Sequence, residues 1–185
     1  MQTRRAFLKT FAMSVASVAL MESPTTFADL AGRKDLPLHY WNALVLERNG
    51  HLLRLNINNR QDYMAACYLL RDTHVNQSAL AHPWLLHTLS FLQALVAQYH
   101  SHEPWIINSG FRTPHTNKQV GGAEHSYHLA NTRGFFHAAD VRTKHVSASI
   151  INKYALATRQ GGVGVYLKSD FVHIDVGPPR SWSDI

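Results

Sequence analysis

Cysteine is almost missing from this chain: of 185 residues, only Cys67 is one. No intrachain disulfide is possible, so the fold must stand on its hydrophobic core. Cys67 lies in the apolar run Met64-Ala65-Ala66-Cys67-Tyr68-Leu69-Leu70, where a thiol reads as a buried structural group and not as a nucleophile. Acidic residues are also scarce, 12 against 18 Lys and Arg, for a net charge of +6. The apolar run near the N-terminus, Thr10 to Met21, is too short for a helix that must cross a bilayer with about 20 residues. There is no Gly-x-Ser-x-Gly elbow, which argues against a serine hydrolase of that design. Gly161-Gly162-Val163-Gly164 lacks a following Gly-Lys-Ser/Thr, so it is not a phosphate loop. No repeat or low-complexity tract is present.

What is there begins with a leader. Thr3-Arg4-Arg5-Ala6-Phe7-Leu8-Lys9 is basic, the run after it is uncharged, Glu22-Ser23-Pro24 breaks that run, and Thr26-Phe27-Ala28 offers small residues at a cleavage site. This order is that of a secretory signal. The paired arginines before Phe-Leu-Lys are of the twin-arginine type, a route for folded proteins that would let a metal be loaded before export. The expectation is a signal peptide over residues 1–28, a mature domain over 29–185, a periplasmic address and no stable membrane span. Loss of Arg4, Arg5, Lys9 and Glu22 with the leader lowers the net charge from +6 to +4. A mildly basic domain suits a polyanion. An exported protein rarely meets nucleic acid, so peptidoglycan, with its stem-peptide carboxylates, is the expected partner.

The pattern within the domain is mixed. Trp41 to Leu46 and Leu52 to Ile57 flank Arg48-Asn49-Gly50, a hairpin signal. Gln61 to Leu70 reads as a short helix. Leu85, Leu89, Leu92, Val96 and Tyr99 recur at steps of three and four, which predicts a helix from Trp84 to Tyr99 with one buried stripe. Trp105 to Asn108 reads as a strand, Thr113 to Arg133 mainly as loop, and His137 to Val141 as extended. Ser147 is placed to cap a helix running to about Thr158. Gly161-Gly162 turns the chain into a strand from Val163 to Leu167, Ser169-Asp170 breaks it, and Phe171 to Val176 forms the last strand. This order predicts an α+β domain with a small antiparallel sheet flanked by helices. Trp84, Trp105 and Trp182 read as core or rim.

Thirteen histidines are many for this length, so the clusters decide. Ser126-Tyr127-His128 precedes Ala138-Ala139-Asp140, and Asp170-Phe171-Val172-His173-Ile174-Asp175 follows. Two imidazoles and a carboxylate are an accepted catalytic zinc set with a fourth position left open. Zinc brings the pKa of water from about 15.7 to about 7. Hydrolysis also needs a base and a positive group for the oxyanion, for which Asp175 and Arg112 are candidates.

In order along the chain stand Ser109-Gly110-Phe111-Arg112, Thr116-Asn117, Ser126-Tyr127-His128, Ala138-Ala139-Asp140, Gly161-Gly162-Val163-Gly164-Val165-Tyr166, Phe171-Val172-His173-Ile174-Asp175-Val176-Gly177 and Arg180-Ser181-Trp182. This series resembles the bacterial murein endopeptidases related to zinc D-Ala-D-Ala carboxypeptidases, over roughly Trp41 to Trp182. The resemblance implies a zinc D,D-peptidase fold of the Hedgehog/DD-peptidase-like kind, one Zn2+ per chain and peptidoglycan as substrate. It makes His128, Asp140 and His173 the zinc ligands. It makes Arg112 the contact to the scissile carbonyl or a substrate carboxylate, with a structural salt bridge as the alternative, and Ser126 a loop-orienting residue. Asp175 is the preferred general base, because two residues after His173 it shares a strand face with it. Asp170, three residues before His173, is the second candidate. Either aspartate could instead orient a ligand or cap a turn.

The resemblance fails at one place. The family sets its first histidine seven residues before the aspartate, whereas His128 and Asp140 are twelve apart. Counting back seven reaches Arg133, which is no ordinary zinc ligand. A five-residue insertion between Leu129 and His137, looped out above the site, would restore the set. If the insertion displaces His128, then His125 or His137 takes its place or the site is dead. The expected function is thus a zinc-dependent murein endopeptidase acting on stem peptides or cross-links. The alternative is a catalytically inactive peptidoglycan-binding or regulatory module of the same fold.

Overall fold

The structure is a computed structural model that describes residues 43–184. The expected leader over residues 1–28, and Trp41, lie outside the described residues. Strands β1 (Ala43–Arg48) and β2 (His51–Asn56) pair antiparallel. They are joined through Asn49 and Gly50, with φ of 53° and 81°, as an Asn-Gly hairpin turn requires. Helix α1 (Arg60–Leu69) starts at Asn59, whose side chain accepts from the N–H groups of Gln61 and Asp62, a side-chain N-cap. Strand β3 (Leu80–Ala81) leads into α2 (Pro83–Tyr99), and β4 (Trp105–Ser109) follows. Then come α3 (Pro114–Gln119), β5 (Phe135–Phe136), β6 (Ala138–Arg142), α4 (Ala148–Thr158), β7 (Gly162–Tyr166), β8 (Phe171–Asp175) and β9 (Arg180–Asp184).

The α+β class holds, but the sheet is neither small nor antiparallel throughout. It has seven strands in the order β2-β1-β4-β6-β8-β7-β9, and β1–β4 and β7–β9 are parallel. The antiparallel pairs β1–β2 and β7–β8 are joined by local turns that leave a sequence signal. The parallel pairs are made by strands separated by other elements, which leave none. A second, two-stranded sheet joins β3 to β5 in parallel.

Three local expectations change. Helix α2 is buried on most of its circumference, from Leu85 and Leu86 through Thr88, Ser90 and Gln93 to Val96, and not along one stripe. Its polar groups make this possible. The Gln93 side chain donates to Val45 O and Glu103 O and accepts from Val45 N–H, and Ser90 Oγ donates to Ala43 O. Part of the expected loop after Thr113 is helix α3, with Thr113 as its N-cap and Pro114 in its first turn, as proline prefers. Ser147 takes the N-cap position of α4 without a side-chain bond. The Ala148 N–H donates instead to Asp170 Oδ1 at 2.8 Å.

Trp105 is fully buried, and its Nε1 donates to Leu89 O. Cys67 is buried, and burial pushes its thiol up. Core residues Ala139, Val141, Val163, Val165, Val172 and Ile174 alternate with Asp140, Gly164 and His173 along β6, β7 and β8, so those three share the other face.

Candidate metal centre

Sheet register builds most of the site. Ser109 on β4 pairs with Asp140 on β6, and Asp140 pairs with His173 on β8. His173 pairs with Gly164 on β7, which pairs with Trp182 on β9. Five residues thus form one row across the sheet. Gly164 matters because it has no side chain: a Cβ there would lie 2.3 Å from the Trp182 indole. The indole instead lies beside His173, with ring centroids 5.1 Å apart.

His128 comes from the loop before β5 and meets the row from the side. The Ser109-Gly110-Phe111-Arg112 motif holds it there. Gly110 O faces His128 Nδ1 at 2.6 Å, and the Arg112 N–H donates to His128 O. A side chain on Gly110 would collide with the Leu70 backbone at 2.3 Å. Ser126 Oγ accepts the His128 N–H at 3.3 Å, which suits a loop-orienting serine. His128 is 2% exposed.

His128 Nε2, His173 Nδ1 and Asp140 Oδ1 converge, with separations of 3.2 Å between the nitrogens and 3.2 and 2.9 Å from them to the oxygen. Among the described residues, these three form a group able to hold a metal ion. Their far sides fix the tautomers. His128 Nδ1 faces a carbonyl, and His173 Nε2 faces Asp175 Oδ2 at 2.9 Å. Both partners accept, so in the neutral rings each far nitrogen carries the proton and each near nitrogen a lone pair. Three lone pairs directed at one point repel unless a cation lies between them. Ligand bonds of about 2.0–2.1 Å in a tetrahedron give edges near 3.3 Å, close to the spacings found. The titration directions agree. Burial alone would raise the Asp140 carboxyl, but His128 and His173 outweigh it and hold the group far below the usual range. Burial likewise opposes charge on His173, yet with no metal present Asp140 and Asp175 favour a proton on both ring nitrogens and raise its pKa, so Nδ1 carries a proton where a metal would otherwise bind. The cluster attracts positive charge, and the donor set fits a metal.

Arg112 Nη2 donates to Asp140 Oδ2, and its Nε donates to Ser109 Oγ at 2.7 Å. It therefore makes the salt bridge that was the alternative role, while its side chain stays 19% exposed in the wall of the cleft. Asp175 is fully buried. Its Oδ1 accepts from Gly162 N–H, Gly177 N–H and Arg180 Nη1, and its Oδ2 from His173 and Arg180 Nη2. These donors outweigh burial and hold its carboxyl well below the usual range. The structure thus places Asp175 behind His173, with its lone pairs engaged. Asp170 is not brought to the site. It sits at φ 47° in the β7–β8 turn and caps α4.

The twelve-residue spacing leaves His128 beside Asp140 and His173. Asn131 N–H donates to Phe135 O, and its side chain accepts from the N–H groups of Arg133 and Phe135. Residues 131–135 close on themselves, and β5 ties their end to β3. His137 stacks on His82 with centroids 4.8 Å apart and does not join the donors. His125 lines the cleft. Arg180 and Tyr127 also line it, and no role was read for them from the sequence. The spacing Asp175-to-Arg180 across Gly177-Pro178-Pro179 was the available signal for Arg180.

A cavity of about 570 Å³ opens over the donors. A second of about 240 Å³ adjoins it and shares Arg112, Val120, Asp140 and Phe171. A buried His-Asp-His set beside two adjoining cavities, with an arginine on its carboxylate, has the donors and the access that a metallopeptidase centre needs. The chain belongs to the peptidase M15 family, whose model it matches over residues 62–175. It is similar to the peptidoglycan L,D-endopeptidase MepK of Escherichia coli strain K12, 38% identical over 120 residues, or 62% of each chain. It is also similar to the probable peptidoglycan L,D-endopeptidase MepK of Haemophilus influenzae, 31% identical over 123 residues, or 64% of this chain and 62% of that one. The match thus spans about 62% of these relatives' length.

Proposed function

We propose that this protein is a zinc-dependent peptidoglycan endopeptidase that hydrolyses amide bonds in stem peptides or cross-links. The observation that carries this reading is the convergence of three ligand atoms, His128 Nε2, His173 Nδ1 and Asp140 Oδ1, with each histidine's other ring nitrogen facing an acceptor. These three residues would hold the zinc. When bound, zinc supplies Lewis acidity, which polarises a carbonyl and brings the pKa of water from about 15.7 to about 7.

The remaining tasks fall to the chain itself. Arg112 orients Asp140 and presents its exposed edge to the cleft, where it steadies charge growing on a carbonyl oxygen or pairs with a substrate carboxylate. With zinc bound, Asp175 keeps His173 in the tautomer that leaves Nδ1 unprotonated. The two adjoining cavities, which share Arg112 and Asp140, offer room for peptide beyond a single terminal residue, which supports an endopeptidase over a carboxypeptidase. The relatives' names favour an amide of L,D type. Export as a twin-arginine substrate, cleavage near Ala28 and action of a 29–185 domain in the periplasm complete the proposal.

The test is to load the purified mature chain with zinc, incubate it with sacculi and identify soluble fragments by mass spectrometry. The expected result is about one zinc per chain and fragments with new amino and carboxyl ends, lost with chelator and restored by zinc. Zinc bound without any release of fragments would move the protein to the wall-binding reading.

A further inference from the structure

Arg180 opens strand β9 beside Gly162 of β7, and its guanidinium grips both oxygens of Asp175, Nη1 on Oδ1 at 3.1 Å and Nη2 on Oδ2 at 2.6 Å. Asp175 Oδ2 then meets His173 Nε2 at 2.9 Å. The two oxygens differ in their other partners. Oδ1 is also held by two backbone N–H groups, of Gly162 and Gly177, whereas Oδ2 has only His173 and Arg180. A two-point fork fixes the plane of a carboxylate in a way that a single donor does not. That plane sets the direction of Oδ2, and Oδ2 sets the His173 ring.

The surroundings are built for this pair. A Cβ on Gly162 would lie 2.4 Å from Asp175 Oδ2 and 2.5 Å from Arg180 Nη1, so only glycine admits the fork. The guanidinium carbon lies 4.9 Å from the Tyr127 ring centre and 5.3 Å from that of Trp182, within reach of cation–π attraction. Tyr127 itself is seated on Gly177, where a Cβ would come 2.4 Å from the ring.

We propose that Arg180 is a positioning residue for the metal centre, acting through Asp175 to aim His173 Nδ1. The inference rests on the reading of His128, Asp140 and His173 as metal ligands. It does not make Arg180 a ligand or a catalytic residue. The rival role is structural: the pair only fastens β9 to the sheet.

Zinc affinity, measured by competition with a chromophoric chelator, separates the two roles on the purified chain and its Arg180→Gln and Arg180→Lys variants. The visible spectrum of the cobalt-loaded forms reports ligand geometry, and melting of the chelated forms reports the sheet. Loss of an outer-shell partner weakens metal binding by roughly 10- to 100-fold. Arg180→Gln is expected to weaken zinc binding in that range and alter the cobalt spectrum. Arg180→Lys, which keeps the charge but loses the fork, is expected to fall between. If Arg180→Gln does not fold, Arg180→Lys carries the test alone. Wild-type affinity and spectrum in the folded variants, with or without a lower melting temperature, overturn the inference. Absence of zinc from the wild-type chain overturns the metal reading itself, which separates the two failures.

Discussion

Two of the three donors stand on neighbouring strands, and the third stands on a loop. Asp140 and His173 are cross-strand partners, and their alignment follows from a register that also buries Ala139, Val141, Val172 and Ile174. A slip of one residue would turn every one of these side chains to the wrong face. His128 has no such frame. It is placed by separate tethers: its ring to Gly110 O, its carbonyl to Arg112 N–H, and its N–H to Ser126 Oγ. The strand donors therefore depend on the sheet as a whole. The loop donor depends on a few separate bonds, to which the His137 N–H adds one on Tyr127 O at the far end of the segment that separates His128 from Asp140.

The sharpest way to break this contrast is to remove each donor in turn. Without His173 or Asp140, zinc affinity should fall beyond the roughly 100-fold ceiling of outer-shell changes, and hydrolysis should reach background. His128→Ala should be equally severe, because His137 is occupied against His82. If the loop can adapt, His125 will take over. His128→Ala would then keep zinc that is lost when His125→Ala is added, and the tethered-loop account would be wrong.

A pair of glycines gives a smaller and cleaner contrast. Gly161, beside the strand donors, has φ +66°, and a Cβ there would lie 1.7 Å from Asp175 O. Gly134, in the turn over residues 131–135, has φ +80° with nothing within 4 Å of that Cβ. Both alanine variants meet the left-handed penalty of about 1–2 kcal/mol. Gly161→Ala adds overpacking of about 1–3 kcal/mol. Urea unfolding of the chelated proteins should rank Gly161→Ala well below Gly134→Ala. Equal losses would show that the wall behind Asp175 yields.

Asn131→Ala tests the loop side alone. It removes two acceptor contacts, to the N–H groups of Arg133 and Phe135, for a loss of about 1 kcal/mol in urea unfolding. Zinc stoichiometry should stay unchanged, since the tethers of His128 lie elsewhere. Loss of zinc would mean that this turn supports the donor after all.

These contrasts mirror what could be read from the sequence. The Asn49-Gly50 hairpin, α1 and β8 announce themselves through turn chemistry and periodicity. The donor set was legible because its residues sit in short motifs, Ser126-Tyr127-His128 and Phe171-Val172-His173. The parallel pairs β1–β4 and β7–β9 were not legible, because nothing local encodes which distant strand a run will join. The burial of α2 was hidden because Gln93 and Ser90 look like surface residues until Val45 and Ala43 appear as their partners. The tasks of Asp175 and Asp170 were undecided for a similar reason. Spacing puts both near His173, but only the positions of Arg180, Gly162 and Ala148 show which acceptors are already engaged.

The smallest predicted effect lies where the loop after His128 joins the second sheet. His82 heads α2 and His137 follows β5, and their rings stack at 4.8 Å and 24°. His82 Nδ1 has no hydrogen-bond partner among the described residues. Burial lowers the pKa of both, and His82 lowers that of His137 further, against an opposing pull from Asp175. A proton on His82 would also face the positive end of α2. Because the folded pKa values lie below the ordinary histidine value of about 6.5, both rings are neutral in folded and unfolded chains above that pH. Below it the unfolded chain takes up protons first, so stability falls with falling pH until the folded values are passed. The strain should be felt at the β3–β5 pair, whose backbone bonds run from Leu80 N–H to Gly134 O and from His82 N–H to Phe136 O. Amide exchange at these two N–H groups, corrected for intrinsic rates, should speed up between pH 7.5 and 5.5 in the wild-type chain and not in a His82→Phe, His137→Phe variant. The donors on β6 and β8 should show no matching change. Identical pH dependence in both proteins would remove the stacked pair as its source and leave this loop as firmly anchored in acid as the strands it borders.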